Sequence, residues 1–527
     1  MSRLPQSVWH VTREYAGLAE AGGVKDVVRG LADALVSRGV PTTVVLPWYG
    51  FLQPEVHGLK IDAQPVAAFP MSLPDQDREN RLFPEPVQVF ATDMGSVRIL
   101  LVQSPRFSAL RDVYTYTAED EAENEWKRKG TGHWDAHQLN MVLQTAALEA
   151  AARCEPGRVL FHCHDGQTAF LPALMREREE YAERFKDAGT VVTIHNAGKG
   201  YHQEVWSREF AGLLTGLSQR VLEKGMLGTA VDPFLLAGSY SLLCTVSEQY
   251  ARELLAEKDA EVSGGLGRTC RQRAIPIRGI TNGIDPTPWD PRSGAQSALP
   301  FPFDPSKGDL GGKRKCRIDL SARLGFTAAA KQVRLALYAF VGRLTEQKGV
   351  GVLFDMLEMA LREEESPLFV VLGSGEKQRE ERFRHLAARE DTGGKLCFVS
   401  RYDPQLAKLI YAASDFFLIP SEYEPCGLTD FIAQLMGNIP IVHRVGGLVK
   451  VRDGETGFSY DEQTPAALRA VVDRSSRLFA SEPARLEEIR RRAFSEIFSH
   501  HTWRQVLQDS YLPFYDEALE GPEWTRR

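Results

Sequence analysis

Ile419-Pro420-Ser421-Glu422-Tyr423-Glu424-Pro425-Cys426-Gly427-Leu428-Thr429-Asp430-Phe431-Ile432-Ala433-Gln434-Leu435-Met436-Gly437 is the stretch around which the chain is organised. The apolar run Phe416 to Ile419 reads as a buried strand and Ser421 to Pro425 as a tight loop. Gly427 to Met436 reads as a helix with Phe431, Ile432 and Leu435 on its inner side. A strand therefore delivers Glu424 to a helix N-terminus, the joint from which α/β folds build their sites. Free N–H groups and the positive dipole end near Gly427, Leu428 and Thr429 suit a phosphate, while Glu424 can accept sugar hydroxyls. An ordinary joint with a capping glutamate has the same local pattern, so the stretch alone leaves both readings open.

The pattern recurs along the chain. Ser7 to Thr12 reads as a strand, Glu14 to Gly23 as a loop, and the following residues through Leu35 as a helix, with Thr43 to Leu46 closing a βαβ unit. Gly22-Gly23 lets a ligand approach the backbone just before that helix. Val159 to Gln167 is an apolar strand ending in His162, His164 and Asp165. The two histidines share one strand face, but no third ligand stands near them at metal spacing, so no metal site is read. Val191 to Asn196 ends in His195-Asn196, and Gly279 to Asp285 reads as a strand running into the turn Asn282-Gly283. Leu335 to Val341 leads into Gly342-Arg343-Leu344-Thr345-Glu346-Gln347-Lys348-Gly349, whose two cations suit a diphosphate: arginine supplies a fork, lysine a point charge.

Composition narrows the function classes. At 527 residues the chain is too long for one core and reads as two α/β domains, with the Pro-, Gly- and Ser-rich residues from Pro286 to Leu310 at their boundary. A formal net charge of −7 gives no electrostatic footprint for nucleic acid or an anionic membrane. No leader-like N-terminus and no span-length apolar run is seen, which sets a cytoplasmic protein as the expectation. Seven scattered cysteines suggest reduced thiols. Asp75-Gln76-Asp77 reads as a solvated turn, and Arg111 to Trp134 as a surface helix followed by core aromatics.

The residues from Pro420 to Thr429 fill every specified position of Pro-Ser-x-x-Glu-Pro-Cys-Gly-Leu-Thr, and so resemble the bacterial glycogen synthase and plant starch synthase family of retaining glycosyltransferases. Gly342 to Gly349, Gly279 to Asp285 and Thr193 to Asn196 resemble further motifs of that family. The resemblance runs from about Val8 to Tyr515 and implies a GT-B fold, two Rossmann-like domains facing each other across a deep cleft. The implied organisation is an acceptor-side domain over 1–290, a linker and first helix over 291–330, a nucleotide-sugar domain over 331–500, and a terminal helix over 501–527 that crosses back. The implied reaction is transfer of glucose from ADP-glucose or UDP-glucose to the non-reducing end of an α-1,4-glucan, with retention and with neither metal nor cofactor. Carried over position by position, Glu424, His195 and Asp165 are the catalytic candidates. Gly22, Gly23, Arg343, Lys348, Cys426, Gly427, Leu428 and Thr429 are donor-binding candidates, and Asp26, Asn282 and Tyr114 line the sugar and acceptor side.

Four departures stand against that pattern. Glu20 replaces the family's donor-contacting lysine, Gly166 a tryptophan, Pro233 and Leu236 an asparagine and a lysine, and Lys450-Val451-Arg452 the family's Asp-Thr-Val. A carboxylate 4 Å from a phosphate would be repelled by roughly 4 kcal/mol at an effective dielectric near 20. Glu20 must therefore point away, or the donor must sit differently, or the donor is not the usual one; Lys25 could supply the missing charge, but its place on the helix points it elsewhere. Loss of the tryptophan ring at Gly166 is expected to widen the acceptor side or leave it to another aromatic. The alternatives are a related retaining transferase with another donor or a small acceptor, and an inactive glycan-binding regulatory relative.

Overall fold

The computed structural model describes residues 5–75, 78–155, 157–198, 200–256, 263–325, 335–363 and 366–521. Gln76 and Asp77 of the Asp-x-Asp turn lie outside them. Two compact units form, one from residues 1–283 with 506–527, the other from residues 284–505.

The first unit is built on nine strands: β1 Ser7–Val11, β2 Thr42–Pro47, β3 Ala67–Asp75, β4 Arg78–Met94, β5 Val97–Gln103, β6 Val159–His164, β7 Gly189–Ile194, β10 Leu242–Thr245 and β11 Ile277–Gly279. The intervening β8 Met226–Leu227 and β9 Ala230–Val231 form a separate small ribbon. Their order across the sheet is β11-β10-β7-β6-β1-β2-β5-β4-β3, parallel except where β4 runs antiparallel to β3 and β5. β1, β2, β6 and β7 are buried along their whole length, as expected of strands covered on both faces. The strand expected over Gly279 to Asp285 ends instead at Gly279, where a side chain would strike the backbone of Ser247 and Glu248.

The second unit carries a parallel sheet of β12 Leu337–Val341, β13 Leu368–Leu372, β14 Leu396–Val399, β15 Phe416–Ile419, β16 Ile439–His443 and β17 Phe458–Tyr460, in the order β14-β13-β12-β15-β16-β17. Alternate residues separate into two cores. Tyr338, Phe369, Phe416 and Ile439 pack on one face, and Leu337, Leu368, Phe417 and Val442 on the other. Residues 286–310 contribute Leu299 and Phe303 to the second of these cores.

Each sheet reverses its winding once. The chain builds outward from β1 to β2 and returns to its other side with β6; in the second unit it builds from β12 to β13 and returns with β15. At such a switch point the loops beyond the strand ends diverge and leave a crevice.

Candidate functional site

In the second unit the loops after β12 and β15 meet at the switch point. Glu424 receives hydrogen bonds on one carboxylate oxygen from Lys348 Nζ at 2.5 Å and Ser421 Oγ at 3.0 Å. The amide of Gln347 holds the Tyr423 carbonyl, and the Glu422 N–H donates back to the Gln347 carbonyl at 3.0 Å. The strand-to-helix motif after β12 and the opening motif are thus laced together. Arg343 is exposed and has no hydrogen bond or ion pair with any described residue. Cys426 and Gly427 are buried, while Leu428 and Thr429 are partly exposed at the start of the helix Thr429–Leu435. That helix begins two residues later than its sequence pattern suggests, because Gly427 sits at a φ of 76°, outside the right-handed region.

Lys450 does not face outward from this loop. Its ammonium donates to the carbonyls of Cys426, Gly427 and Gly447 at 2.6, 2.8 and 3.0 Å, which accounts for all three N–H groups. The same nitrogen lies 3.2 Å from Asp430 and 4.4 Å from the centre of the Phe431 ring. Burial raises the Asp430 carboxyl to about 6 against the lowering pull of Lys450, and beyond that contact neither of its oxygens meets a hydrogen-bond partner among the described residues. Arg452 is held by Glu496 and Glu455. The basic pair that stands in place of the family's Asp-Thr-Val is therefore spent on shaping the loop from behind.

In the first unit the switch point lies between β1 and β6. Glu14, just beyond β1, accepts from the N–H groups of Ala21 and Gly22 at 3.2 and 2.5 Å with one oxygen and from the Tyr114 hydroxyl at 2.8 Å with the other. One buried carboxylate thereby ties the glycine loop to Tyr114. Beside it, Arg13 donates to the Tyr49 hydroxyl, Asn140 and the Val113 carbonyl, fixing the backbone that leads into Tyr114. Neither role was legible locally, since their partners lie up to 127 residues away in sequence.

Asp165 follows β6 with φ of 61°, a conformation uncommon for a residue with a side chain. Its carboxylate accepts the His195 N–H at 2.7 Å, which joins the ends of β6 and β7. Burial pushes this carboxyl up to about 7 and the Glu14 charge adds to the rise, against hydrogen bonds from the His195 and Asn196 backbone. His195 is itself buried, and burial lowers its imidazole to about 3. Asn282, beyond β11, is buried with its side-chain carbonyl unpartnered among the described residues, which costs about 1–3 kcal/mol unless a ligand donates to it. Gly23 starts the helix Val24–Ser37, which we label α1; Asp26 lies exposed in its first turn, paired with Lys25.

The departures acquire physical reasons. Glu20 accepts the Gly17 N–H at 2.7 Å and lies 3.5 Å from Lys25, which also contacts Asp26 at 3.2 Å. Lys25 therefore does face Glu20, contrary to its expected direction. Gly166 opens no space: a Cβ there would overlap the His202 carbonyl, so the backbone of Tyr201 and His202 occupies that position. His202 in turn donates through one nitrogen to Asp232 at 2.7 Å and through the other to the Ala197 carbonyl at 2.9 Å. Both ring nitrogens face acceptors; burial lowers its pKa, but the hydrogen bond and charge of Asp232 outweigh that and raise the imidazole above its ordinary value. Leu236 is fully buried in the helix Pro233–Ala237, out of reach of any ligand.

Two expectations are corrected. A third histidine does stand beside His162 and His164: His10 from β1, with ligand atoms of the three within 4.8 Å. Every ring nitrogen of the trio except His10 Nε2 is already hydrogen-bonded, to another histidine, to Thr193 or to Tyr515, so the group is built as a hydrogen-bond chain. The aromatics after Arg111 do not all join a core. Tyr116 is buried, but Trp126 and Trp134 are 57% and 37% exposed, beyond the short helix Ala118–Glu123.

Residues 7–271 match the starch synthase catalytic domain family, and residues 327–491 match the glycosyl transferases group 1 family. A glycogen synthase of Vibrio atlanticus is 30% identical over 533 aligned positions, spanning 97% of this chain and 99% of its own. A glycogen synthase of Streptococcus agalactiae is 30% identical over 505 positions, spanning 94% and 97%. Among solved structures, the catalytic domain of starch synthase IV from Arabidopsis thaliana, bound to ADP and acarbose, superposes with a TM-score of 0.79 at 25% identity, covering 98% of this chain and all of that one. No described helix is long and apolar enough to cross a membrane.

Proposed function

The chain belongs to the glycogen synthase and starch synthase family, with its two-domain GT-B fold, and from that premise we propose the donor, acceptor and residue roles of this hexosyltransferase. It moves glucose from ADP-glucose or UDP-glucose to the non-reducing end of an α-1,4-glucan, with retention of configuration. The observation that carries the reading is that, in the loops at the second sheet's switch point, Arg343 has no partner among the described residues while Lys348 contacts Glu424. A diphosphate offers Arg343 a bidentate partner, and Lys348 gains a second anion without leaving Glu424.

In this reading Arg343 and Lys348 stabilise the charge that develops on the departing diphosphate, with the backbone of Cys426, Gly427, Leu428 and Thr429 beside them. The helix beginning at Thr429 has only seven residues, so the two cations supply most of that stabilisation. Glu424 accepts hydroxyls of the donor sugar. Asp165 and His195 act on the transferred glucose, Gly22 and Gly23 let the donor approach the backbone, and Asn282, Asp26 and Tyr114 line the sugar and acceptor side. Tyr114 does so with its hydroxyl proton committed to Glu14. The starch synthase IV relative bound to ADP and acarbose supports a nucleotide and a glucan-like ligand for this chain as well.

The test is incubation of the full chain with radiolabelled ADP-glucose and UDP-glucose separately, with and without glycogen, and counting label in polymer. Glycogen-dependent incorporation from one donor is expected. Donor turnover without polymer labelling would point to a transferase with a small acceptor, a reading favoured by the cluster of departures in the first unit. Retention of glycogen in a pull-down without turnover of either donor would leave a glycan-binding relative.

A further inference from the structure

Behind His195 lies a file of imidazoles. His164 Nδ1 is 3.0 Å from His195 Nε2, and His164 Nε2 is 3.0 Å from His10 Nδ1. The rings are successive and nearly parallel, with centroids 5.3 Å apart at both steps. His10 and His164 are buried outright and His195 almost so. His162 stacks on His164 at 4.2 Å but belongs to another file, because its nitrogens are taken by the Tyr515 hydroxyl at 2.8 Å and Thr193 Oγ1 at 2.7 Å. The file thus has two ends. Among the described residues, His10 Nε2 at one end is buried without a partner, and His195 Nδ1 at the other has none.

Burial far below the usual imidazole range keeps all three rings neutral, so each carries one N–H. Each of the two bonds needs one donor and one acceptor, which leaves two arrangements. In the first, the protons sit on Nδ1 of His10, His164 and His195; His10 Nε2 is then a bare lone pair, and His195 turns an N–H outward. In the second, all three sit on Nε2; His10 then buries an N–H with no acceptor, and His195 turns a lone pair outward. The arrangements differ inside the protein only in the orphan at His10. A buried N–H without an acceptor is the rarer and costlier orphan, because a donor has a single bond to lose.

We propose that His10 and His164 are positioning residues that lock His195 in its Nδ1–H tautomer, so that the imidazole meets a ligand oxygen as a hydrogen-bond donor. The inference rests on the reading above, in which His195 acts on the transferred glucose. It explains why the core of the first sheet, which could be apolar, brings His10 of β1 within 3.0 Å of His164 on β6, although the register partner of His10 is His162. A lone His195 could present either edge to a sugar hydroxyl. The file removes that freedom and gives the ligand a fixed donor.

The test begins on the wild-type full chain labelled with ¹⁵N-histidine, using long-range proton–nitrogen correlation spectra, which separate the two neutral tautomers. Assignment uses His10→Asn and His10→Phe. His195 in the Nδ1–H form is the expected result, and His195 in the Nε2–H form overturns the proposal. Asparagine places an amide N–H where His10 Nδ1–H stands, whereas phenylalanine keeps the bulk and deletes the donor. His10→Phe is expected to return His195 to a mixture of tautomers and to lower kcat by about tenfold, the loss of one oriented hydrogen bond, with donor KM within about twofold. His10→Asn is expected to restore both. Equal behaviour of the two variants in kcat and in the spectra would mean that His10 serves packing alone, and would also overturn the proposal. The tautomer is read without substrate, so a wild type that transfers no glucose would fail the functional reading and leave the spectral result standing.

Discussion

The two sheets place their polar residues alike and charge them differently. Both bring side chains together beyond the strand ends at a switch point. In the second unit Arg343 is open, and Lys348 meets Glu424 at a partly exposed contact. In the first unit His10, His164 and His195 are driven toward neutrality by burial, and the Asp165 carboxyl is raised to about 7. In the proposed reading one surface offers charge to an anion and the other offers directed hydrogen bonds to a neutral, hydroxylated ligand. Departures from the family motifs gather in the first unit for the same reason. A diphosphate fixes which cations must be present, whereas a hydrogen-bonding wall can be rebuilt from other parts, as the Tyr201–His202 backbone does against Gly166.

Lys450 offers the largest way to break this contrast, since its largely buried charge serves the shape of the second unit's loop. Lys450→Met leaves Asp430 buried with no counter-ion and frees three inward-turned carbonyls. Removing one partner of a buried pair typically costs about 3–5 kcal/mol, so thermal unfolding should fall by several degrees. The double change Asp430→Asn with Lys450→Met should recover part of that loss. A melting temperature unchanged by Lys450→Met would show that the loop does not depend on the pair.

Next in size are the two cations that follow β12, Arg343 and Lys348. Lys348→Ala and Arg343→Ala should each lower kcat/KM for the donor by about 10²–10³, the range seen when one preorganised group is removed from developing charge. Arg343→Ala should leave the melting temperature alone, because Arg343 has no partner among the described residues. A loss of stability without loss of activity would reverse the assignment of charge to this unit.

The contrast also marks what the sequence could disclose. Buried parallel strands show as unbroken apolar runs, and glycines and cations at their ends show as motifs, so β1, β6, β7, β12 and β15 were readable, as was the placing of Arg343, Lys348 and Glu424 just beyond two of them. The start of the helix at Thr429 was misplaced because nothing in the letters says that Gly427 takes positive φ. The clamp roles of Glu14 and Arg13, and the arrival of His10 beside His164, depend on strands distant in sequence becoming neighbours. No local periodicity encodes that; it follows only once β1 is known to pair with β6. Lys25 was misjudged for a nearer reason, since a long flexible side chain reaches back from α1 to Glu20.

A smaller effect sharpens the first unit's half of the comparison. Asp165 has a folded-state pKa near 7 against 3.8 unfolded. A carboxyl raised in the fold contributes stability that is full below about pH 4 and is lost as pH rises through 7. Asp165→Asn keeps the acceptor for the His195 N–H but cannot titrate. The wild type should therefore lose stability relative to this variant between pH 4 and 7, in paired thermal melts. A constant difference across that window would mean that Asp165 ionises normally and that the first unit is not the neutral wall described.

The smallest effect is expected where the sequence suggested the largest. A carboxylate in place of a donor-contacting lysine reads as a repulsion of several kcal/mol, but Glu20 is 51% exposed, accepts the Gly17 N–H, and has Lys25 within 3.5 Å. Its charge is compensated locally and screened by water, a setting in which one ion pair contributes about 0–1 kcal/mol. Glu20→Lys should therefore change nucleotide-sugar affinity by less than about fivefold, the equivalent of 1 kcal/mol. It also removes the bond to Gly17 and sets two ammonium groups side by side, so Lys25 is expected to turn wholly toward Asp26. A much larger tightening that shrinks with added salt would place Glu20 beside the phosphates after all, and charge would then govern the first unit as it does the second.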